Sequence, residues 1–340
     1  MKVLHVVATD AFAGVERYLT YVAPAQVRAG LEVVVLGGEP DRMAAALEGT
    51  GVRYAPARPN PRSWARIRRT DSDVIHAHMT HAELLGVLAA RGRPVVATRH
   101  FARGRGSSLL GRAAAPYIAS RLALEVAISG FVADAVGGDV EVVPNAVPDA
   151  PLGAHSDPVV LVAQRLEAEK DTSTALRAWA RSGLAEAGWR LVVAGQGAEH
   201  SRLARLARDL GVDSSVRIRG FVDDLPAAMA QAGVLLATAP AEPFGLAVAE
   251  AMACGLPVVA ACGGAHLETV GQVTPEALFP AGDADEAAET LRGIALDEGR
   301  RRSTGAALQA YQREALGITK HVARLQEVYD AALLREPRPN

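Results

Sequence analysis

At 340 residues the chain is long enough for about two domains, and its 49% hydrophobic content supplies a core for each. A formal net charge of −2 excludes a molecule-wide nucleic-acid binder, and no run approaches the ~20 apolar residues of a membrane span. The two cysteines, Cys254 and Cys262, have neither zinc spacing nor a disulfide framework, which suits small core residues of a cytosolic protein.

The first eight residues read as a β-strand; a signal peptide needs a longer apolar stretch and a small-residue cleavage site. Ala13-Gly14-Val15-Glu16 then opens a helix over 15–29, where Gly14 is either a turn glycine or an exposed N–H donor. Strand-like runs follow at 32–36, 73–77, 94–98, 124–128 and 140–143, with a helix over 81–91. His76 and His78 share one strand face and His81 lies past its end, but no carboxylate or cysteine completes a metal set, so no metal is assigned. At 144–151 three prolines in eight residues break regular structure. Strand-like runs resume at 158–163, 190–194, 216–219, 233–237 and 257–260. Helices are predicted over 245–253 and 318–334, the latter with Val322, Leu325, Val328, Tyr329 and Leu333 at helical spacing. This alternation predicts an α/β protein of two Rossmann-like domains facing each other across a cleft, spanning 1–150 and 151–317.

Two segments carry the chemistry. Residues 242–259 read E-P-F-G-L-A-V-A-E-A-M-A-C-G-L-P-V-V, a turn between a buried strand and a helix at a parallel sheet's C-terminal edge, where open α/β folds bind ligands. Free N–H groups at Gly245 and Leu246 suit a phosphate, and Glu242 and Glu250 frame the turn as acceptors for ligand hydroxyls. Taken alone, such a pair is more simply a loop residue and a solvated helical face. In the second segment, 162–171, Arg165 and Lys170 follow a strand and can clamp a diphosphate, Arg165 by its planar fork and Lys170 as a point charge. The plainer alternative pairs them with Glu167 and Glu169. Only three of the 36 basic Lys and Arg side chains are lysines, which makes Lys170 the more conspicuous.

The string around Glu242 and Glu250 resembles the donor-site signature of retaining, GT-B-fold nucleotide-sugar glycosyltransferases of the family 4 type, and R-L-x-x-E-K at 165–170 is similar to that family's phosphate loop. The resemblance implies transfer of a sugar from a nucleoside diphosphate sugar to an acceptor hydroxyl, with retention, no required metal and no cofactor. Arg165 and Lys170 would then hold the diphosphate, Glu242 the sugar hydroxyls and Glu250 the ribose. Phe244, Gly245 and Leu246 belong to the same donor loop. Gly195 and Gly197 resemble the floor of the nucleotide pocket, and the segment with Phe221 and Val222 the part whose backbone reads the base edge. Asp223 or Asp224 serves equally as a helix N-cap. Gly14 would approach the diphosphate from the first domain, where the family's usual Gly-Gly is Ala13-Gly14. Ala97-Thr98-Arg99-His100 resembles the segment whose histidine meets the donor sugar, and His78 is an acceptor-side candidate. Asn145-Ala146 replaces the usual Asn-Gly, which puts a positive-φ turn there in doubt. The last helix is implied to cap the first domain.

From Arg53 to Arg121 thirteen arginines face three acids. This stretch suits an anionic or lipid-linked acceptor, with Arg103 and Arg105 as candidates, or peripheral contact with an acidic membrane at its inner face; it equally describes a solvated surface. Glycan, lipid-linked and small-molecule acceptors all stay open, and nothing accompanies the charge that would recognise nucleic acid. The rival readings are an epimerase or phosphorylase on the same fold, and a non-catalytic nucleotide- or carbohydrate-binding protein.

Overall fold

The computed structural model describes residues 1–106, 109–220, 222 and 224–335, which divide into two compact units. In the first the chain runs β1 (Lys2–Val7), α1 (Gly14–Arg28), β2 (Glu32–Gly37), α2 (Pro40–Leu47), β3 (Arg53–Ala55), α3 (Pro61–Arg69), β4 (Val74–His78), α4 (Thr80–Ala89), β5 (Val95–Arg99), α5 (Leu109–Arg121), β6 (Leu124–Ala127), α6 (Gly130–Val136) and β7 (Glu141–Val142). The strands are parallel in the order β3-β2-β1-β4-β5-β6-β7. Helices cover a sheet of this kind on both faces, so β1, β4 and β5 are continuous buried runs without alternation. The order reverses between β1 and β4, the switch point beside which such sheets bind ligands.

The second unit runs β8 (Asp157–Ala163), α7 (Thr172–Ser182), β9 (Arg190–Ala194), α8 (His200–Asp209), β10 (Val216–Gly220), α9 (Leu225–Gln231), β11 (Ala232–Ala237), α10 (Leu246–Ala253), β12 (Val258–Cys262), β13 (Leu278–Pro280), α11 (Ala284–Ala295) and α12 (Glu298–Ala315). Its six strands are parallel in the order β10-β9-β8-β11-β12-β13, with the reversal between β8 and β11. Both segments singled out above leave these two central strands.

The units are Met1–Val147 together with the chain from Ile318, and Pro148–Gly317. The final helix, α13 (Ile318–Leu334), returns to the first unit and packs on α1, β4 and β5. Val322, Leu325, Val328 and Tyr329 are buried there, while Leu333 is exposed. Between the units the Pro-rich 144–151 segment is irregular, and neither Asn145 nor Ala146 has positive φ. Helix starts follow local chemistry: the Asn60 side chain accepts from Ser63 N–H ahead of Pro61, Ser129 from Val132 N–H, and Asp224 from Ala227 N–H. Asp224 is thus the N-cap of α9; Asp223 lies outside the described residues.

Candidate functional site

At the second unit's switch point the two segments meet. Lys170 Nζ donates to Glu242 Oε2 at 2.6 Å, joining residues 72 apart, with both side chains about one-seventh exposed. The side-chain amide of Gln164, just past β8, lies 2.9 Å from Lys170 O, 2.9 Å from Thr172 Oγ1 and 3.1 Å from Thr238 Oγ1. Thr238, just past β11, also donates its hydroxyl to Lys170 O at 3.0 Å. The cation-bearing loop is therefore tied to the strand that carries the carboxylate. Arg165 is half exposed and bonds Glu169 at 2.7 Å, which draws that carboxyl below its ordinary range. An exposed pair of this kind is weak and leaves Arg165 free to turn to a stronger anion.

Glycines let the surrounding backbone close in. A Cβ at Gly195 would stand 1.9 Å from Gln164 O, and one at Gly197 2.2 Å from Leu166 O, so the 195–197 turn lies directly against the Arg165 loop. Leu166 N–H donates to Gln196 O at 2.8 Å and completes that contact. The Glu242 turn sits in the same way on Gly263-Gly264: a Cβ at Gly264, whose φ is +56°, would reach Glu242 O at 2.4 Å. Ala265 N–H donates to that oxygen at 2.8 Å. Gly245 is the N-cap of α10 at φ 86°, Phe244 is buried beneath it, and Glu250 lies partly buried one turn on. The first intrahelical bond runs from Ala249 N–H to Gly245 O, so the earlier N–H groups of α10 are not used by the helix. Leu246 stands at this helix start. Val222 is half-buried; Phe221 lies outside the described residues.

Three members of this site escape a reading of spacing alone. Gln164 and Thr238 are isolated polar residues at strand ends. His266 is buried and donates from Nδ1–H to Ala261 O at 3.0 Å; burial depresses its pKa, while the charges of Glu242 and Lys170 act on it in opposite directions.

In the first unit, α1 begins at exposed Gly14, and Glu16 fixes that start by accepting from Ala13 N–H at 2.9 Å and Thr9 O–H at 2.6 Å. His100 stands just past β5, buried, with Nε2 3.0 Å from His78 Nδ1. His78 Nε2 lies 3.0 Å from His5 Nδ1, and His5 Nε2 is 2.7 Å from Gln26 Oε1. His78 is thus fully buried and not on an acceptor surface, contrary to expectation. His81 does not join His76 and His78, because it is exposed on α4; His5 of β1 takes that place. Ligand nitrogens of His5, His76 and His78 lie within 4.8 Å of one another. Their closeness is accounted for by hydrogen bonds, since His76 spends both nitrogens on Tyr329 O–H at 2.7 Å and Thr98 Oγ1 at 2.6 Å. Desolvation pushes these imidazoles, and that of His321 buried on α13, down, His5 and His321 to about 4 and His100 to about 3, so they are neutral near pH 7.

The arginine-rich stretch divides in two. Arg62, Arg66, Arg68 and Arg69 of α3 are exposed around Trp64, with the Arg68 guanidinium 5.5 Å from the indole. Trp64, Pro61, Leu84, Leu85 and Leu88 line an apolar groove of about 700 Å³. Arg103 is exposed and lies over the Phe101 ring. Arg105 departs from the expectation of a free cation: its side chain is 7% exposed and bridges Glu83 at 2.6 Å and Glu125 at 2.5 Å. Burial pushes the Glu83 carboxyl up against the pull of Arg105. Among the described residues no helix is long and apolar enough to cross a membrane.

Residues 149–311 match the family model for glycosyl transferases group 1, and residues 12–150 that for glycosyltransferase family 4. The chain is 31% identical over 307 residues to D-inositol 3-phosphate glycosyltransferase 1 of Catenulispora acidiphila, covering 77% of this chain and 73% of that protein. It is 28% identical to the phosphatidyl-myo-inositol mannosyltransferase of Mycolicibacterium smegmatis, covering 85% and 83%. It spans only 22% to 53% of the length of other curated relatives, among them an exopolysaccharide phosphotransferase and two 2-deoxystreptamine transferases of Streptomyces. In fold it is similar to Anabaena HepE, solved in complex with UDP-glucose, with a TM-score of 0.81 and 23% identity over 97% of this chain and all of that one. Doubly wound units on either side of residue 148, and a 31% identical relative covered over nearly three quarters of its length, make the chain a member of the GT-B glycosyltransferases of the family 4 type.

Proposed function

We propose that this protein transfers a glycosyl group from a nucleoside diphosphate sugar to an acceptor hydroxyl, with retention of anomeric configuration and without a required metal. The observation that carries the reading is the Lys170–Glu242 pair at the second unit's switch point. Lys170, neutralised by that one carboxylate, can pass to a diphosphate and release Glu242 for sugar hydroxyls. Arg165 adds a second, exposed cation, and the N–H groups of Gly245 and Leu246 at the start of α10 complete the anion site. Together they stabilise the charge that grows on the departing diphosphate as the anomeric C–O bond breaks, the largest single contribution in such chemistry. Glu250 takes the ribose, Gly195 and Gly197 floor the nucleotide pocket, and Val222 lies in the base-reading segment. Neutral His100 orients the sugar, and Gly14 offers an N–H to the diphosphate.

For the acceptor we favour an anionic cyclitol or phosphorylated glycan, free or lipid-linked. Support comes from the exposed arginines of α3 and from relatives named for inositol phosphate and phosphatidylinositol acceptors. Purified protein incubated with UDP-glucose or GDP-mannose, with and without inositol phosphate and with EDTA present, tests the whole reading. Acceptor-dependent release of nucleoside diphosphate, with an α-linked product by NMR, is expected. Epimerised donor, or sugar 1-phosphate formed from inorganic phosphate, would move the chain to a rival chemistry on this fold.

A further inference from the structure

Buried polar groups of the first unit form a chain with a direction. Gln26, inside α1, presents its amide oxygen to His5 Nε2 at 2.7 Å and donates through its amide nitrogen to the Tyr329 hydroxyl at 3.0 Å. His5 Nδ1 is 3.0 Å from His78 Nε2, and His78 Nδ1 is 3.0 Å from His100 Nε2. All of these groups are buried. A neutral imidazole has one N–H and one lone pair, so each link needs one donor and one acceptor, and the choice at one end propagates to the other. The Gln26 oxygen only accepts, so His5 carries its proton on Nε2. Its Nδ1 lone pair then accepts from His78 Nε2–H, whose own Nδ1 accepts from His100 Nε2–H. His100 is left with an unprotonated Nδ1, which has no hydrogen-bond partner among the described residues.

A second branch obeys the same polarity. Gln26 N–H donates to Tyr329, Tyr329 O–H donates to His76 Nδ1, and His76 Nε2–H donates to Thr98 Oγ1. Turning the Gln26 amide over would reverse every bond in both branches and place a proton on His100 Nδ1. One feature favours the observed direction: the four rings His5, His76, His78 and His100 all take the Nε2–H form, the tautomer that a free neutral histidine prefers. Burial keeps every ring from acquiring the second proton that would break the sequence in either direction.

We propose that Gln26 is a positioning residue that, acting through His5 and His78, fixes His100 as its Nε2–H tautomer, so that His100 Nδ1 accepts a hydrogen bond from a hydroxyl of the donor sugar. The second half rests on the sugar-orienting role given to His100 above. The consequence is a rule of specificity: the sugar must supply a proton at this contact. An ether or carboxylate oxygen there would set lone pair against lone pair.

Long-range ¹H–¹⁵N spectra of histidine-labelled protein at neutral pH, without ligand, test the first half, with His100 assigned by its loss in His100→Gln. A bare Nδ1 and protonated Nε2 at His100 are expected in the unaltered protein. Gln26→Met, which removes the acceptor at similar length, should give mixed tautomers at His5, His78 and His100. His5→Leu, which cuts the chain one link later, should do the same at His78 and His100. A proton on His100 Nδ1 in the unaltered protein overturns the proposal, and that spectrum needs no variant to fold. A single Nε2–H tautomer persisting at His100 in either folded variant overturns it too. Titration with UDP-glucose, GDP-mannose, UDP and GDP then addresses the sugar. A nucleotide sugar that binds by calorimetry should shift His100 Nδ1 where its nucleotide alone does not. Binding without that shift removes the sugar contact and leaves the tautomer assignment standing.

Discussion

Arg165 and Lys170 belong to one loop, but their surroundings make different substitutions of them. The Arg165–Glu169 pair is exposed, so Arg165→Ala should leave the melting temperature unchanged while lowering turnover by roughly 10²–10³-fold, the scale for losing one preorganised donor to the transition state. Lys170→Ala should lower turnover similarly, and should also lower the melting temperature, because it strands a largely buried carboxylate at Glu242. The double variant Lys170→Met with Glu242→Gln should recover the melting temperature without recovering turnover. Steady-state kinetics beside thermal melts separate these outcomes, and near-normal turnover in Arg165→Ala would remove it from the diphosphate site. The two glutamates are separable by calorimetry with free UDP or GDP. Glu250→Ala should weaken binding by about 1.5–3 kcal/mol, the range for a hydrogen bond to a charged group, whereas Glu242→Ala should bind nearly as before yet transfer poorly. Equal losses of nucleotide affinity would mean the ribose and sugar roles are wrongly divided. What the sequence disclosed at this scale was residue type and strand-end position; that Lys170 touches Glu242 is a tertiary fact no spacing contains. Gln164 and Thr238 escaped because single polar residues at strand ends have no pattern. Arg105 misled because its partners Glu83 and Glu125 stand 22 and 20 residues away, outside any local window.

Among elements, the central strands were legible because burial on both faces demands unbroken apolar runs. The edge strands β3 and β13 were not, since three residues with one neighbour need no such run. His5 was hidden within β1 for the converse reason: in the sequence it interrupts an apolar run, and its partners, His78 of β4 and Gln26 of α1, are brought to it only by the fold. The histidines gathered by β1, β4, β5 and α13 predict a pH dependence with a definite sign. Their folded pKa values lie below the ordinary value of 6.5, so the unfolded chain binds more protons as pH falls. Their stabilising contribution is therefore complete above pH 6.5 and is lost as pH drops toward about 4. Melts of the protein from pH 7.5 to 4.5 should show the first unit losing stability through this window. His321→Gln should flatten the slope; a flat profile in the unaltered protein would contradict the neutral, buried state of these rings.

For the molecule as a whole, a formal charge of −2 conceals a strongly uneven distribution, with the exposed arginines of α3 beside an apolar groove. If that surface meets an anionic acceptor or lipid headgroup, association with acidic vesicles or inositol phosphate should fall steeply with salt, because exposed charges are screened over about 8 Å at physiological ionic strength. Arg62→Glu with Arg69→Glu should weaken that association and leave donor hydrolysis unchanged. Arg105 is unsuitable for this test, as its loss would strand Glu83 and Glu125. Salt-insensitive transfer without vesicle binding would assign the acceptor to the neutral, soluble class.

The return of α13 also orders the protein's biosynthesis. A ribosome releases all of the second unit, Pro148–Gly317, before the helix that finishes the first unit emerges. Until then β4 and β5 lack the cover of α13, and Gln26 and His76 lack the Tyr329 hydroxyl that joins them. The unit begun first is thus completed last, and its finished seven-stranded sheet waits for this helix while the whole second unit is made.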